Sequence, residues 1–297
     1  MKRIGLVIVL CVVYVTPGWS LTPEQRKATV AFLQNLQQPD GGFLPVPDDS
    51  RGNVKTSVRA TTTALRALKY MGGEPKDKMG CAKFLRSCFD AKTGGFADHP
   101  GGLPDVNSTS AGIMGIVELG LPVQEYSEPV VRYLEENAKN FEDIRIAAAA
   151  LESIQHQSRQ SGAWLEVINR NRLSDGTYSA KAAGRARATG GAVVAVLRLG
   201  GTVQDANKVA QVLREGQGKD GGFGKEDSPG SDLESTYRVV RAFVMLKKKP
   251  DVQGCRTFVE SCRNKDGGYG LTPGAHSSAP TTYFASIILH WLKEMDQ

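Results

Sequence analysis

Two carboxylates one residue apart, Asp232 and Glu234, follow a glycine turn in the stretch Lys219–Tyr237, KDGGFGKEDSPGSDLESTY. Acids at this spacing serve one of three ends. In acid catalysis one carboxyl is buried, its pKa is raised and it donates a proton. In ligand binding the pair forms part of a polar rim over an apolar cavity. In a helix cap it has no chemistry at all. Ser231-Asp232-Leu233-Glu234 reads S-x-x-E directly before an apolar segment, the pattern of a capping box in which Ser231 and Glu234 each accept from the other's backbone amide. Acids also suit the positive N-terminus of a helix.

Other residues compete for a chemical role. Asp105 and Asn107 stand at the same offset from an earlier glycine turn as Asp232 and Glu234 do from theirs. Tyr178, Tyr237 and Tyr283 fall near the starts of apolar helices, where they line a cavity mouth or pack in the core with a bonded hydroxyl. Lys181, Arg185 and Arg187 form a cationic group that either binds an anion or is an exposed helix face. His99 could join Asp98 or Asp105 on a metal, although a lone loop histidine is more often hydrogen-bonded or solvated. The chain has 4 His in all, and no Gly-x-Ser-x-Gly, phosphate-loop or His-Glu-x-x-His pattern.

The elements that must position these residues repeat along the chain. QPDGGF ends at Phe43, AKTGGF at Phe96, GKDGGF at Phe223 and NKDGGY at Tyr269, with LSDGTY ending at Tyr178 as a weaker copy. Gly176 to Gly221 is 45 residues and Gly221 to Gly267 is 46, whereas Gly94 to Gly176 is 82, room for one further unit at 125–157 without a glycine turn. Six units result. Each has an amphipathic helix, the Asp-Gly-Gly-aromatic turn, a Pro/Gly/Asp/Ser-rich loop and a more apolar second helix. Strand signals are nearly absent. The first glycine is expected just past the helix end in the left-handed conformation. The second allows close backbone approach, and the aromatic fills the gap between helices. Neither end of the array has a polar second helix to act as a cap, so the six hairpins are expected to close into a ring rather than an open solenoid. The charged first helices lie outside and the apolar second helices inside. The fold class is all-α, an α/α toroid (α6-α6 barrel).

Composition sets the outer bounds. The 297 residues are 40% hydrophobic and 23% charged, ordinary for a globular chain. Lys2, Arg3, an apolar run from Ile4 to Val15 and small residues Gly18 and Ser20 read as a signal peptide, 1–20, cut after Ser20. The mature part, 21–297, is then one toroid, exported to a periplasmic or extracellular space, with no stable membrane anchor after cleavage. Of the formal charge of +6, Lys2 and Arg3 supply two, which leaves +4 and implies no nucleic-acid partner. Cys81 and Cys88, like Cys255 and Cys262, are seven residues apart on core stripes of single helices, too far to bond with each other. Buried thiols are expected, and a disulfide between helices is left open.

Repeats of about 45 residues with this glycine-aromatic turn resemble the prenyltransferase β-subunit and squalene-cyclase (terpene-cyclase) repeat family over nearly all of 21–297. The segment TGGFADHPGGLPD, Thr93 to Asp105, looks especially like the β-subunits of Rab geranylgeranyltransferases (geranylgeranyl transferase type II). The resemblance implies a toroid whose inner cavity holds an isoprenoid, with prenyl (geranylgeranyl) transfer as the family activity and zinc at the ends of inner helices. The family's zinc ligands are an Asp, a Cys two residues later and a His in the next repeat. Here those positions hold Asp232, Glu234 and, near the third, Pro280, so no zinc site is matched and no cofactor is predicted. DLEST is also similar to the Asp-x-Asp-Asp-Thr motif of squalene and class II terpene cyclases, which implies Glu234 as proton donor and Asp232 as its support. The leading expectation is therefore an exported protein that binds an isoprenoid-like or other apolar ligand in a central cavity rimmed by Asp105, Tyr178, Asp232 and Tyr283. The alternative is a non-catalytic secreted scaffold that binds a protein partner on its surface and whose cavity is filled by side chains.

Overall fold

The computed structural model describes residues 21–47, 54–182, 184–226, 228 and 230–296. The expected signal peptide lies outside the described residues. Among the described residues, twelve α-helices alternate along the chain as an outer and an inner series. The outer helices are α1 (Pro23–Asn35), α3 (Lys78–Ser87), α5 (Ser127–Asn137), α7 (Ser161–Asn169), α9 (Ala206–Glu215) and α11 (Val252–Ser261). The inner helices are α2 (Val58–Met71), α4 (Val106–Glu118), α6 (Phe141–Ser153), α8 (Arg185–Arg198), α10 (Leu233–Leu246) and α12 (Ala279–Asp296). Among the described residues the only strands are the paired dipeptides β1 (Phe89–Asp90) and β2 (Gly95–Phe96).

Each inner helix packs on the next, α2 on α4, α4 on α6, α6 on α8, α8 on α10 and α10 on α12, and α12 returns to pack on α2. The ring is closed, as the apolar ends of the array require. Four of the outer helices show why they face outward. In α3, Cys81, Phe84 and Leu85 are buried at i, i+3 and i+4; α5, α9 and α11 bury similarly narrow stripes, and most of the remaining positions are charged or polar. Most inner helices bury a wider surface, as in α12, where every residue from Thr281 to Leu292 except Phe284 and His290 is buried.

The glycine turn works differently from the expectation. α9 ends at Glu215 and is capped by Gly216, and Gly221 comes five residues later. Gly221 closes a tight turn instead, donating to the Gly218 carbonyl at 2.9 Å while Gly218 donates to the Gly222 carbonyl at 2.8 Å. The sharp reversal needs φ of +88° at Gly221, which side-chain-bearing residues rarely adopt, and a Cβ there would stand 2.1 Å from the Gly254 carbonyl oxygen of α11. The turn thus seats one unit on the outer helix of the next. The aromatic then enters the core: Phe43, Phe96, Phe223 and Tyr269 are completely buried. Its backbone N–H donates to a threonine hydroxyl on the inner helix of the same unit. The pairs are Phe43–Thr61 (2.9 Å), Phe96–Thr109 (2.9 Å), Tyr178–Thr189 (3.2 Å), Phe223–Thr236 (3.0 Å) and Tyr269–Thr282 (3.1 Å). This clamp leaves no orphaned backbone N–H beside the buried ring.

Cys81, Cys88, Cys255 and Cys262 are free and buried, which closes the question of an inter-helix disulfide among them. Burial pushes each thiol up to about 12, so all four are neutral packing groups.

Candidate ligand cavity

The opening question about Asp232 and Glu234 is decided at the N-terminus of α10. The cap is Asp232, one residue later than the expected Ser231. Its carboxylate accepts from the Ser235 amide at 2.8 Å and from the Ser235 hydroxyl at 2.8 Å. Ser231 turns away and donates to Asp220 of the glycine turn at 2.7 Å. The reciprocal capping box is therefore absent, because Ser235 offers Asp232 a two-point contact. Glu234 is left free of the cap and accepts from Arg238 at 2.6 Å and from Arg187 at 3.2 Å. Burial acts to raise its pKa, but the guanidiniums of Arg238 and Arg187 outweigh it and hold the carboxyl below its usual range. A proton donor would need the opposite shift. Asp105 repeats the Asp232 cap on α4, accepting from the Ser108 amide at 2.8 Å and hydroxyl at 2.7 Å.

The positions of the family's zinc ligands do not fit zinc. Asp232 is engaged by Ser235, Glu234 by two arginines, and Pro280 has no side-chain donor. Asp98 is bound by Arg59 at 2.6 Å, and His99 Nδ1 lies 2.6 Å from the Thr56 carbonyl. Among the described residues no three His, Cys, Asp or Glu side chains gather as a metal site.

The ring encloses a cavity of about 960 Å³. This is near the top of the roughly 300–1,000 Å³ range of small-molecule sites. Lys55, Arg59, Asp98, His99 and Asn107 stand at the N-terminal ends of the inner helices. Further along, Met114, Ile146, Tyr237, Tyr283, Phe284, Ile287 and Trp291 make an apolar and aromatic wall. Tyr237 stacks on Trp291 with centroids 5.6 Å apart and lies 5.9 Å from the Tyr283 ring.

Arginines run down this wall, and each carboxylate among them is shared by two cations. Glu142 binds Arg238 through both oxygens, at 2.8 and 3.1 Å, and Arg145 at 2.9 Å. Glu234 joins Arg238 to Arg187, Glu118 joins Arg66 to Lys69, and Glu152 joins Arg198 to Arg241. Burial raises the Glu142 pKa, but its bonds to Arg238 and the charge of Arg145 bring it down to about 2. Because the folded pKa lies below the usual 4.5, the stabilisation is complete above that value and is lost as pH falls towards 2. The expected result is a fall in the urea midpoint between pH 4.5 and 2 that is smaller in Glu142→Gln than in the unaltered protein; equal falls would show that Glu142 has no part in it.

Of the residues singled out from sequence, Asp98, His99, Asn107, Glu234, Tyr237 and Tyr283 line the cavity. Asp105 and Asp232 are caps beside it. Tyr178 sits elsewhere, in a smaller recess between α7 and α8, where its hydroxyl donates to Asn169 at 3.0 Å. Lys181 pairs with Glu226, and Arg185 with Asp175. The expected rim of Asp105, Tyr178, Asp232 and Tyr283 is therefore represented by Tyr283 alone. Sequence reading missed Arg66, Arg145, Arg198, Arg238 and Arg241. Their signal is an arginine inside an otherwise apolar inner helix, as in STYRVVRAFVML.

Comparison with known proteins places this architecture. The model of the prenyltransferase alpha-alpha toroid domain matches residues 5–74, 67–137 and 144–297. Comparison with curated proteins yields no match. Among solved structures, Candida albicans protein geranylgeranyltransferase-I complexed with GGPP superposes with a TM-score of 0.68 at 11% identity, over 80% of this chain and 85% of that one. The apo type II terpene cyclase MstE from Scytonema superposes with a TM-score of 0.63 at 10% identity, over 93% and 99%. The ent-copalyl diphosphate synthase from Streptomyces platensis gives 0.52 at 16% identity, over 81% of this chain and 50% of that one. With the closed ring of inner helices and a family match over nearly its whole length, the chain belongs to the prenyltransferase alpha-alpha toroid domain family.

Proposed function

We propose that this protein binds an isoprenoid-like apolar chain in its central cavity, and that it does so as an exported protein. The observation that carries the reading is the open, aromatic-walled space of about 960 Å³ inside the ring. A toroid serving only as a surface scaffold has no use for such a space and would fill it with side chains. Two structural relatives were solved with isoprenoid compounds, the geranylgeranyltransferase with GGPP and a variant of MstE with geranylgeranyl dihydroxybenzoate. Export rests on the charged, apolar and small-residue sequence of 1–20. Zinc-dependent prenyl transfer is not part of the proposal, since Glu234 and Pro280 stand where a thiolate and an imidazole are needed. Nor is acid catalysis by Glu234, which is held ionised by Arg238 and Arg187.

The test is native mass spectrometry and Trp291 fluorescence with geranylgeraniol as probe. A 1:1 adduct that is lost in Ala149→Trp, which fills the cavity from α6, is the expected result. No adduct, together with no change in fluorescence, would overturn the reading.

A further inference from the structure

The cavity is not uniformly apolar, and its charges do not cancel. Beside Tyr237 and Tyr283 stand three guanidiniums, Arg66, Arg198 and Arg241, against two carboxylates, Glu118 and Glu152. Lys69, the other partner of Glu118, is largely exposed and adds a further positive charge. Positive charge is therefore in excess on a wall made mostly of rings and aliphatic side chains, where unpaired charge is costly. Helix dipoles account for part of it, since Arg198 is the last residue of α8. Arg66 and Arg241 each lie five residues before the end of their helices, beyond the last turn in which that effect is felt.

The donors on this wall are also unsatisfied. Arg66 lies 4.9 Å above the Tyr283 ring; its buried Nε is 3.3 Å from Glu118 but out of line for a hydrogen bond, and one terminal nitrogen meets only the Met114 sulfur at 3.5 Å. A guanidinium has five donors, so most of this one's capacity is unused. The Arg241 Nε is likewise buried without a partner, its guanidinium 5.2 Å from the Trp291 ring. The Tyr283 side chain lines the cavity, the residue is 4% exposed, and its hydroxyl meets the Tyr237 side chain without a well-aligned hydrogen bond. Buried polar groups of this kind are rare and ask for an explanation. Tyr237 registers the same excess: burial would raise its pKa, but the charges of Arg198, Arg66 and Arg241 bring it below the usual value.

We infer that the wall between α2, α10 and α12 is a subsite for the carboxylate of an amphiphilic ligand, held by Arg66 and the Tyr283 hydroxyl in the field of Arg198 and Arg241. A carboxylate brings negative charge to this positive wall, and its two oxygens suit the planar fork of arginine. The ligand then places its charged end among the aromatic rings of the inner wall. This inference rests on the proposed function and names the class of ligand, a long-chain isoprenoid acid.

The experiment compares geranylgeranoic acid, its methyl ester and geranylgeranyl diphosphate by displacement of a fluorescent lipid from the full protein. The acid is expected to bind at least about tenfold tighter than the ester, the range of a charge-assisted hydrogen bond. Arg66→Met should bring the acid-to-ester ratio close to one. Arg241→Met should reduce it less, and Tyr283→Phe should reduce it severalfold. These variants do not strand a carboxylate, since Glu118 keeps Lys69 and Glu152 keeps Arg198. Equal binding of acid and ester would overturn the subsite and leave the cavity reading intact. Diphosphate binding tighter than the acid and insensitive to Arg66→Met would overturn it too, placing the anion elsewhere. Binding of none of the three would remove both.

Discussion

Phe223→Ala is expected to destabilise the protein by about 3–5 kcal/mol, the usual cost of emptying a buried phenylalanine site, and to lower Tm by about 10 °C. Phe223 is completely buried, packs 6.4 Å from the Phe243 ring and lies behind a turn whose glycines touch the next outer helix. A Cβ on Gly222 would stand 2.6 Å from Phe258, so the neighbouring unit has little freedom to collapse into the vacated space. The comparison that isolates the effect is Tyr178→Ala. Tyr178 holds the equivalent place in the weaker fourth turn, but it is only partly buried, and its hydroxyl reaches Asn169 at the surface. Its loss should cost less than half as much. Calorimetric scans of the two variants decide the matter, and equal losses would show that turn aromatics are interchangeable rather than graded by burial.

Glu142→Gln should cost about 1–3 kcal/mol, the range of charged hydrogen bonds, kept to that level because the carboxylate is half exposed and screened. The change preserves shape and removes one charge. It leaves Arg145, Arg187 and Arg238 sharing Glu234 alone, three positive charges against one. The charge of Arg238 already lowers the Arg145 pKa, second only to burial, so losing Glu142 aggravates an existing repulsion. Arg238→Met is expected to cost less, although Arg238 is the more buried residue, since Glu142 keeps Arg145 and Glu234 keeps Arg187. Urea titrations at neutral pH give both values. The double variant should cost less than the sum of the two, as expected for side chains in direct contact. A Glu142→Gln variant as stable as the unaltered protein would mean that the bridge from α6 to α10 is ornamental.

Both predictions mark a boundary between two kinds of information. The aromatic positions were legible because the turn imposes local demands: a left-handed glycine, a second glycine without a side chain, then a large apolar ring. Even the threonine clamp has a sequence signature, since Thr109, Thr236 and Thr282 each follow their aromatic by thirteen residues. The site was less legible. Asp232 and Asp105 stood out as acids after a turn, which is what a helix cap looks like as much as a ligand group. The choice of Asp232 over Ser231 as cap depended on Ser235, whose amide and hydroxyl both face it.

The sequence by itself determined the repeat, the division into amphipathic outer and apolar inner helices, and the closed ring, because each follows from periodicity and from what glycine and apolar side chains do locally. Tertiary structure alone decided which charges meet. Glu142 and Arg238 are 96 residues apart, Arg187 and Glu234 are 47, and Arg66 reaches the Tyr283 ring only because α12 closes back onto α2. Long charged side chains show no periodicity that names a partner, and their pairing is set by which helices the ring brings side by side. An arginine in an apolar helix therefore announces that it will need a partner, while the closure of the ring determines whether that partner comes from the protein or has to be brought by a ligand.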